Sequence, residues 1–487
     1  MRAHLALGLL LTCGGVSAAI AACSLGLDET KIGGVDGGSD AAPLGDGGSD
    51  ADASNPVACQ NDPDCKPANA CLTGRCDKTR NVCLYDLCPA AACKASVCDP
   101  NTKTCSVPTT YGFHAGSFKV TSSGVSTGVG CGGGGPGARR CFAAVYPFVF
   151  VGTTNGVMAY SVADPTDAAP AALTVGGLPF FPQSIVASGT RVYFVGTVAG
   201  NYKVPLAWVD VPGDPTVATL HATTVFNSLQ LPSIDSVYPD TTGGIYLVNN
   251  NASKSYPAAH VTAPLKDLDA LTFFATAGLP AGAAPFAASG TRLVTFRQEA
   301  GPTWASYFSL EPNAATGSAQ NSGETSLAPS FGNSYLPAYV AHGTDGSLVF
   351  NAASVSAPDG GPVTLPATRL GWILDDAGAT TVEATAKIDV EKYATNPGVG
   401  ADIPGPVAWL DANRALVLAA SASNTAQTAV QLATRDPQPA MVPSRRFVLP
   451  FVPSLLAATA SNGFGYVLVP DAPDSATVHT FGTGCDN

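Results

Sequence analysis

The sequence predicts an all-β chain in which one sheet-sized unit recurs seven times, and three observations lead there. First, Ala187–Val195 (ASGTRVYFV) returns at Ala288–Phe296 as ASGTRLVTF. A polar Ser-Gly-Thr turn feeding Val, Tyr and Phe reads as a tight turn entering a buried strand. Second, related apolar quartets begin at Phe148, Val192, Ile245, Leu293, Ser347, Ala415 and Tyr466, with spacings of 44, 53, 48, 54, 68 and 51 residues. Third, 52 Gly and 39 Pro among 487 residues supply turn-formers, while charged residues make up 12%. That composition suits many short strands better than helices. Seven units of this length are how a seven-bladed β-propeller reads in sequence. A six- or eight-bladed ring and a pair of β-sandwiches are the alternatives.

The N-terminus reads as an address. Arg2 supplies a positive charge, Leu5–Leu11 an apolar run, and small residues lead to Ile20-Ala21-Ala22-Cys23. This resembles a bacterial lipoprotein signal peptide, residues 1–22, whose lipobox ends in a cysteine. The resemblance implies that Cys23 becomes the lipidated first residue of the mature chain, with more than one acyl chain for stable anchoring. Ile20 departs from the more usual Leu, and Cys13, preceded by Thr12, fits less well. An ordinary secretory signal cleaved near Ala22, or an uncleaved span, is the plainer alternative. Residues 5–22 are short and Gly/Ser/Ala-rich for a membrane helix.

Residues 23–57 read as a tether. Their Gly, Ser, Ala and Asp offer little to bury and their carboxylates repel one another. The acids do not follow the ligand ladder of a calcium loop.

Residues 58–108 hold Cys59, Cys65, Cys71, Cys76, Cys83, Cys88, Cys93, Cys98 and Cys105. Cys71-LTGR-Cys76-Asp77-KTRNV-Cys83 matches Cys93-KASV-Cys98-Asp99-PNTKT-Cys105 at a shift of 22 residues. The wording of the second copy resembles the short cysteine-rich repeat of slime-mould extracellular proteins, which implies an extracellular structural module without chemistry. Lys78 stands where the second copy has Pro100, so the first copy fits less closely. Disulfides are expected here rather than zinc, because no His is interleaved and the compartment implied is oxidising. Nine being odd, one cysteine must reach outside the module, and Cys59 is the candidate.

Residues 109–487 are expected to form the propeller. Within it, 124–140 (GVSTGVGCGGGGPGARR) lacks the Gly-Lys-Ser/Thr of a phosphate loop and reads as a linker. Cys131 and Cys141 are expected to pair with each other, or one of them with Cys485 to staple the first and last blades. From Phe142 onward each unit has a first strand, a turn, the buried quartet, a polar loop and a third strand. Those third strands cover 157–162, 206–211, 258–263, 305–310, 369–374, 428–433 and 477–481. The longest spacing is read as an insertion, with Lys387–Tyr393 a further strand or short helix.

No zinc helix, nucleophile elbow or sialidase-type Asp-box appears; Gly343–Ser347 reads as a hairpin turn. His221, His260, His342 and His479 lie on or beside predicted strands and are read as structural, while His114 falls outside the repeats. Trp208, Trp304, Trp372 and Trp409 are read as inter-blade packing rather than a sugar platform. Lys254, Tyr256 and Asn249–Asn251 form a polar loop that could line a binding face, and the sequon at Asn251 is read as coincidence.

The net charge of −12 without a basic stripe argues against nucleic acid. The reading that results is a lipid-anchored protein of the bacterial cell envelope, at the outer membrane or cell surface, with no catalytic site, cofactor or metal expected. Its propeller would bind a protein, glycan or small ligand, or act as a scaffold. The alternative is a secreted propeller enzyme, a lyase, lactonase or glycan hydrolase, with an unrecognised site, since the fold hosts both.

Overall fold

The structure is a computed structural model. It describes residues 59–64, strands within 72–106, residues 111–121, most of 141–196, and, from 203 to 482, the strands and several of the turns joining them. The tether, signal segment, Cys23 and the loop 249–257 lie outside these residues.

Near the start, β1 (Leu72–Asp77) pairs antiparallel with β2 (Val82–Leu87), and β3 (Val97–Cys98) with β4 (Cys105–Ser106). Cys76 sits opposite Cys83 and Cys98 opposite Cys105, which are equivalent positions of the two matched stretches. Cys59 is disulfide-bonded to Cys76, with Cα atoms 5.8 Å apart. The expectation that Cys59 reaches outside the module is therefore corrected. A 3-10 turn at Asp62–Asp64 brings the chain back, and the Asp62 carboxylate accepts a hydrogen bond from the Cys76 amide at 2.8 Å. Asp64 accepts from the amides of Gln60 and Asn61, which hold its carboxyl below the usual range. A segment with so few apolar side chains holds its shape through such links rather than a core.

The remaining strands form a β-propeller. After β5 (His114–Thr121) come β6 (Phe142–Val145), β7 (Phe148–Thr153), β8 (Gly156–Ser161) and β9 (Ala172–Thr174), a four-stranded antiparallel sheet. β10 (Pro182–Ser188), β11 (Arg191–Gly196), β12 (Lys203–Asp210) and β13 (Thr219–Val225) form the next. Then follow β14 (Ser236–Pro239), β15 (Ile245–Val248), β16 (Ala258–Val261), β17 (Thr272–Ala275), β18 (Pro285–Ser289), β19 (Arg292–Gln298), β20 (Thr303–Leu310) and β21 (Gly317–Ser326). β22 (Tyr335–His342), β23 (Leu348–Ser354), β24 (Arg369–Asp376) and β25 (Ala379–Lys387) make another four-stranded sheet. So do β26 (Asp402–Asp411), β27 (Arg414–Ser421), β28 (Thr428–Thr434) and β29 (Ala440–Leu449). The last comprises β30 (Ala457–Ser461), β31 (Phe464–Ala472) and β32 (Ser475–Gly482), with β5 added at its edge.

Seven blades were expected; among the described residues there are five four-stranded blades, and β14–β21 form one eight-stranded sheet instead. The cause lies at the outer edge. β17 and β21 pair in parallel at Phe274–Gly317 and Ala275–Ser318, so two open strand edges satisfy each other. Quartet spacing counts buried second strands and carries no information about outer edges. The stretch read as an insertion contributes no further blade among the described residues: β25 ends at Lys387, and 388–401 lies outside them.

First strands adjoin in sequence, β6 beside β10, then β14, β18, β22, β26 and β30, with β30 back beside β6. The core is accordingly a series of interfaces between neighbouring sheets. Phe150, Val157, Ile185, Val192 and Phe194 fill one; Val349, Trp372, Val407 and Val417 fill another. Tight turns set the strands running. Gly189, at φ 59°, occupies the left-handed region that the Ser-Gly-Thr turn requires, as do Asn462 and Gly463 between β30 and β31.

Candidate functional site

The ring closes through a strand from far upstream. Antiparallel β5 takes up β32 from Ser475–Thr121 to Phe481–His114, with a register shift near Thr480. Strand alternation then sorts its side chains between two interfaces. Phe118 and Val120, beside Val478 and Ala476, pack with Phe142, Val149 and Tyr160 of the first sheet. His114 lies opposite Phe481 on the other face, where Val467, Phe481, Leu416 and Leu432 join the β26–β29 sheet.

On that second face, at the outer strands, two histidines meet. His114 Nε2 lies 3.1 Å from His479 Nδ1, across 365 residues of chain. Their ring centroids are 5.3 Å apart, the N–N distance extended by one ring radius at each end. The two nitrogens therefore point at each other in a hydrogen bond instead of converging on a third atom, and one ring must donate while the other accepts. Phe447 of β29 stacks on His114, with centroids 4.1 Å apart and planes 13° from parallel, and Phe481 lies 5.4 Å from His114. This apolar enclosure pushes the His114 imidazole below its ordinary value by desolvation. His479 is pushed further, to about 4, by burial first and the neighbouring His114 second, against an opposing pull from Asp471. Both rings are thus neutral at pH 7.

Elsewhere, among the described residues, Arg191, Asp240 and Arg414 are occupied in holding turns. Arg191, the first residue of β11, donates from Nε to Asp210 at 2.6 Å and lies over the rings of Trp208 and Tyr193, at 4.8 and 5.8 Å. Burial is the largest influence and works against its charge, but the Asp210 hydrogen bond together with the Tyr193 and Asp210 charges holds the guanidinium above its ordinary value. Tyr193 donates to the Gly243 carbonyl at 2.7 Å, and burial pushes its phenol up to about 12. Ser188 donates to the Asp240 carbonyl, and the buried Asp240 carboxylate accepts from the Gly244 amide, so the β10–β11 turn is tied to the β14–β15 turn. At the corresponding turn of a later sheet Arg414 donates to Asp411 at 2.7 Å, beside a shallow depression lined by Asp411, Asn413 and Thr434. These side chains clamp strand ends. Among the described residues no group of three or more His, Cys, Asp or Glu is placed to hold a metal ion.

The residues singled out in the sequence divide as follows. Trp208 and Trp372 are buried between sheets, and Trp409 packs against the same interface as Trp372. His342 meets Tyr238 with centroids 5.5 Å apart. His221, His260 and Trp304 lie on β13, β16 and β20, and their side chains fall outside the described ones, as do Tyr256, Lys254 and Asn249–Asn251. Cys141 is disulfide-bonded, to a cysteine whose side chain is outside those described; Cys65, Cys71, Cys88, Cys93, Cys131 and Cys485 are outside altogether. His114, placed outside the repeats by sequence, belongs to the strand that completes the last sheet, and His479 is its partner. A histidine nine residues after the last module cysteine and one near the C-terminus carry no signal of their meeting. What could have found it is the C-terminal unit, which offers three strands where other units offer four.

No protein family and no curated protein sequence matches the chain. Among solved structures it is similar to hydrazine synthase from Kuenenia stuttgartiensis, at 11% identity, 74% of this chain, 99% of that one and a TM-score of 0.45. It is also similar to the β-propeller domain of the trilobed protease from Pyrococcus furiosus, at 7% identity, coverage of 71% and 95% and a TM-score of 0.38. A third is the polysaccharide lyase ulvanlyase, at 8% identity, coverage of 75% and 96% and a TM-score of 0.34.

Proposed function

We propose that the chain is a lipid-anchored protein of the bacterial cell envelope whose propeller serves as a binding or scaffolding body. The observation that carries this reading is the Cys59–Cys76 disulfide, because structural disulfides persist in oxidising compartments. It supports export, and Ile20-Ala21-Ala22-Cys23 supplies the lipid-attachment motif. Multiple acyl chains on Cys23 hold the chain at the membrane, and the acidic tether up to residue 57 keeps the folded part clear of the lipid. Cys131, Cys141, Cys485 and the other module cysteines serve as further cross-links of the exported chain. The loops between strands then face a protein, glycan or small ligand.

The test is intact mass and peptide mapping of protein extracted from membranes, beside a Cys23→Ser variant. The reading expects diacylglyceryl on Cys23 and release of the variant from the membrane fraction. An unmodified chain beginning elsewhere, or reduced cysteines at 59 and 76, contradicts it.

A further inference from the structure

The strand that closes the ring carries one half of a neutral histidine pair, and the strand it joins carries the other. β5 lies at the outer edge of its sheet and is reached through a segment far upstream of the strands it completes. Its His114 is bonded head-to-head to His479 and stacked against Phe447 of the adjoining sheet, so three strands meet at one polar contact. We infer that this pair is an acid-sensitive latch: it holds β5 in the ring at neutral pH and lets it go when both imidazoles are protonated.

The chemistry follows from the N–H···N contact. With one proton between the two nitrogens the contact is satisfied. A first added proton leaves one N–H pointing at the partner and introduces a positive charge among Phe447, Phe481 and Phe113. A second replaces the hydrogen bond with two N–H groups facing each other, each on a cation, at a separation of 3.1 Å. Stacking on the Phe447 face offers a protonated His114 modest attraction, while His479 lies tilted and farther from that ring, at 6.0 Å.

The charged groups on the packed elements do not compensate. Asp471 on β31 pulls the His479 value upward but ranks below burial and His114 in effect, and its carboxylate also accepts a hydrogen bond from Thr477. On β5 the cation Lys119 lies opposite Thr477, two residues along from the Ser117–His479 pair. On β29, Arg445 precedes Phe447 by two residues, in the stretch where the β28–β29 register shifts. Neither cation is among the influences on the two imidazoles, so the balance at the pair is set by burial, the repulsion between the rings and Asp471.

The direction with pH is fixed by linkage. Both groups have folded values below the ordinary 6.5, so the released strand binds more protons than the docked one. Docking of β5 is therefore complete above 6.5 and weakens as pH falls from 6.5 through about 4.

The experiment uses the full chain. Thermolysin cleavage within 107–121 is measured at pH 7.5 and pH 5, normalised at each pH to cleavage of an unfolded peptide of the same sequence. The latch predicts that normalised cleavage there rises about tenfold at pH 5 while cleavage within Arg414–Ser421 does not change. It also predicts that a His114→Phe/His479→Thr variant loses the rise. Should that variant fail to fold, NMR titration of the two imidazoles in the unmutated chain decides. Both midpoints must fall below 6.5, and their titration must track release of β5. Equal cleavage at the two pH values, the same rise in a folded variant, or a normal midpoint for both rings overturns the inference.

Discussion

Two outer edges of this propeller are bridged, and they are bridged differently. At β17 and β21 two fourth strands touch in parallel over two residue pairs. At β32 and β5 an eight-residue strand is laid antiparallel along its neighbour from Ser475 to Phe481, with Phe118 and Val120 driven into one interface and His114 into another. The first bridge satisfies a few backbone groups at the rim. The second completes a sheet and puts Phe118 and Val120 into one adjoining interface and His114 into the other, and buried apolar area is what stabilises a sheet. At the second bridge the side chains that the register directs inward make the seam.

That contrast can be broken at either end. Val478 is fully buried between the last sheet and the first, opposite Phe118. Val478→Asp puts a carboxylate into that interface without a partner. It is expected to cost about 4 kcal/mol, read as a lowered midpoint in urea unfolding. At the other bridge, Gly317→Pro removes a backbone donor at the first residue of β21, upstream of the β20 pairing that starts at Ala319. Its expected cost is under about 0.5 kcal/mol by the same urea midpoint, with the antiparallel halves of the eight-stranded sheet intact. A cost for Gly317→Pro as large as that for Val478→Asp would mean that the parallel bridge is itself a seam.

The same contrast explains what was readable in the sequence. The quartets became β7, β11, β15, β19, β23, β27 and β31; in β7, β11, β15, β23, β27 and β31 they are buried on both faces, and a two-sided burial leaves a continuous apolar run. The third strands followed, as at 428–433, where β28 runs Thr428–Thr434 with almost every residue buried. Outer strands lack that mark. β5 reads His-Ala-Gly-Ser-Phe-Lys-Val-Thr and β21 Gly-Ser-Ala-Gln-Asn-Ser-Gly-Glu-Thr-Ser, half-polar stretches whose pairing partners only the assembled ring supplies. The joined edge at Phe274–Gly317, and with it the number of separate blades, was hidden for that reason. So was the His114–His479 contact. The cysteine count allowed one partner outside the module, but parity cannot say which, and the Asp62–Cys76 hydrogen bond that helps bring Cys59 home depends on a turn geometry no spacing reveals.

The central claim is that β5 belongs to the last sheet and closes the ring. Amide hydrogen exchange at pH 7.5 tests it most directly, comparing peptides that cover 114–121, 464–472 and 272–275. The account predicts that the amides of 114–121 that bond to β32 exchange as slowly as those of 464–472, as parts of one cooperative sheet, and much more slowly than 272–275 at the parallel rim. Exchange of 114–121 at the rate of 272–275 or faster, with 464–472 still protected, would contradict it.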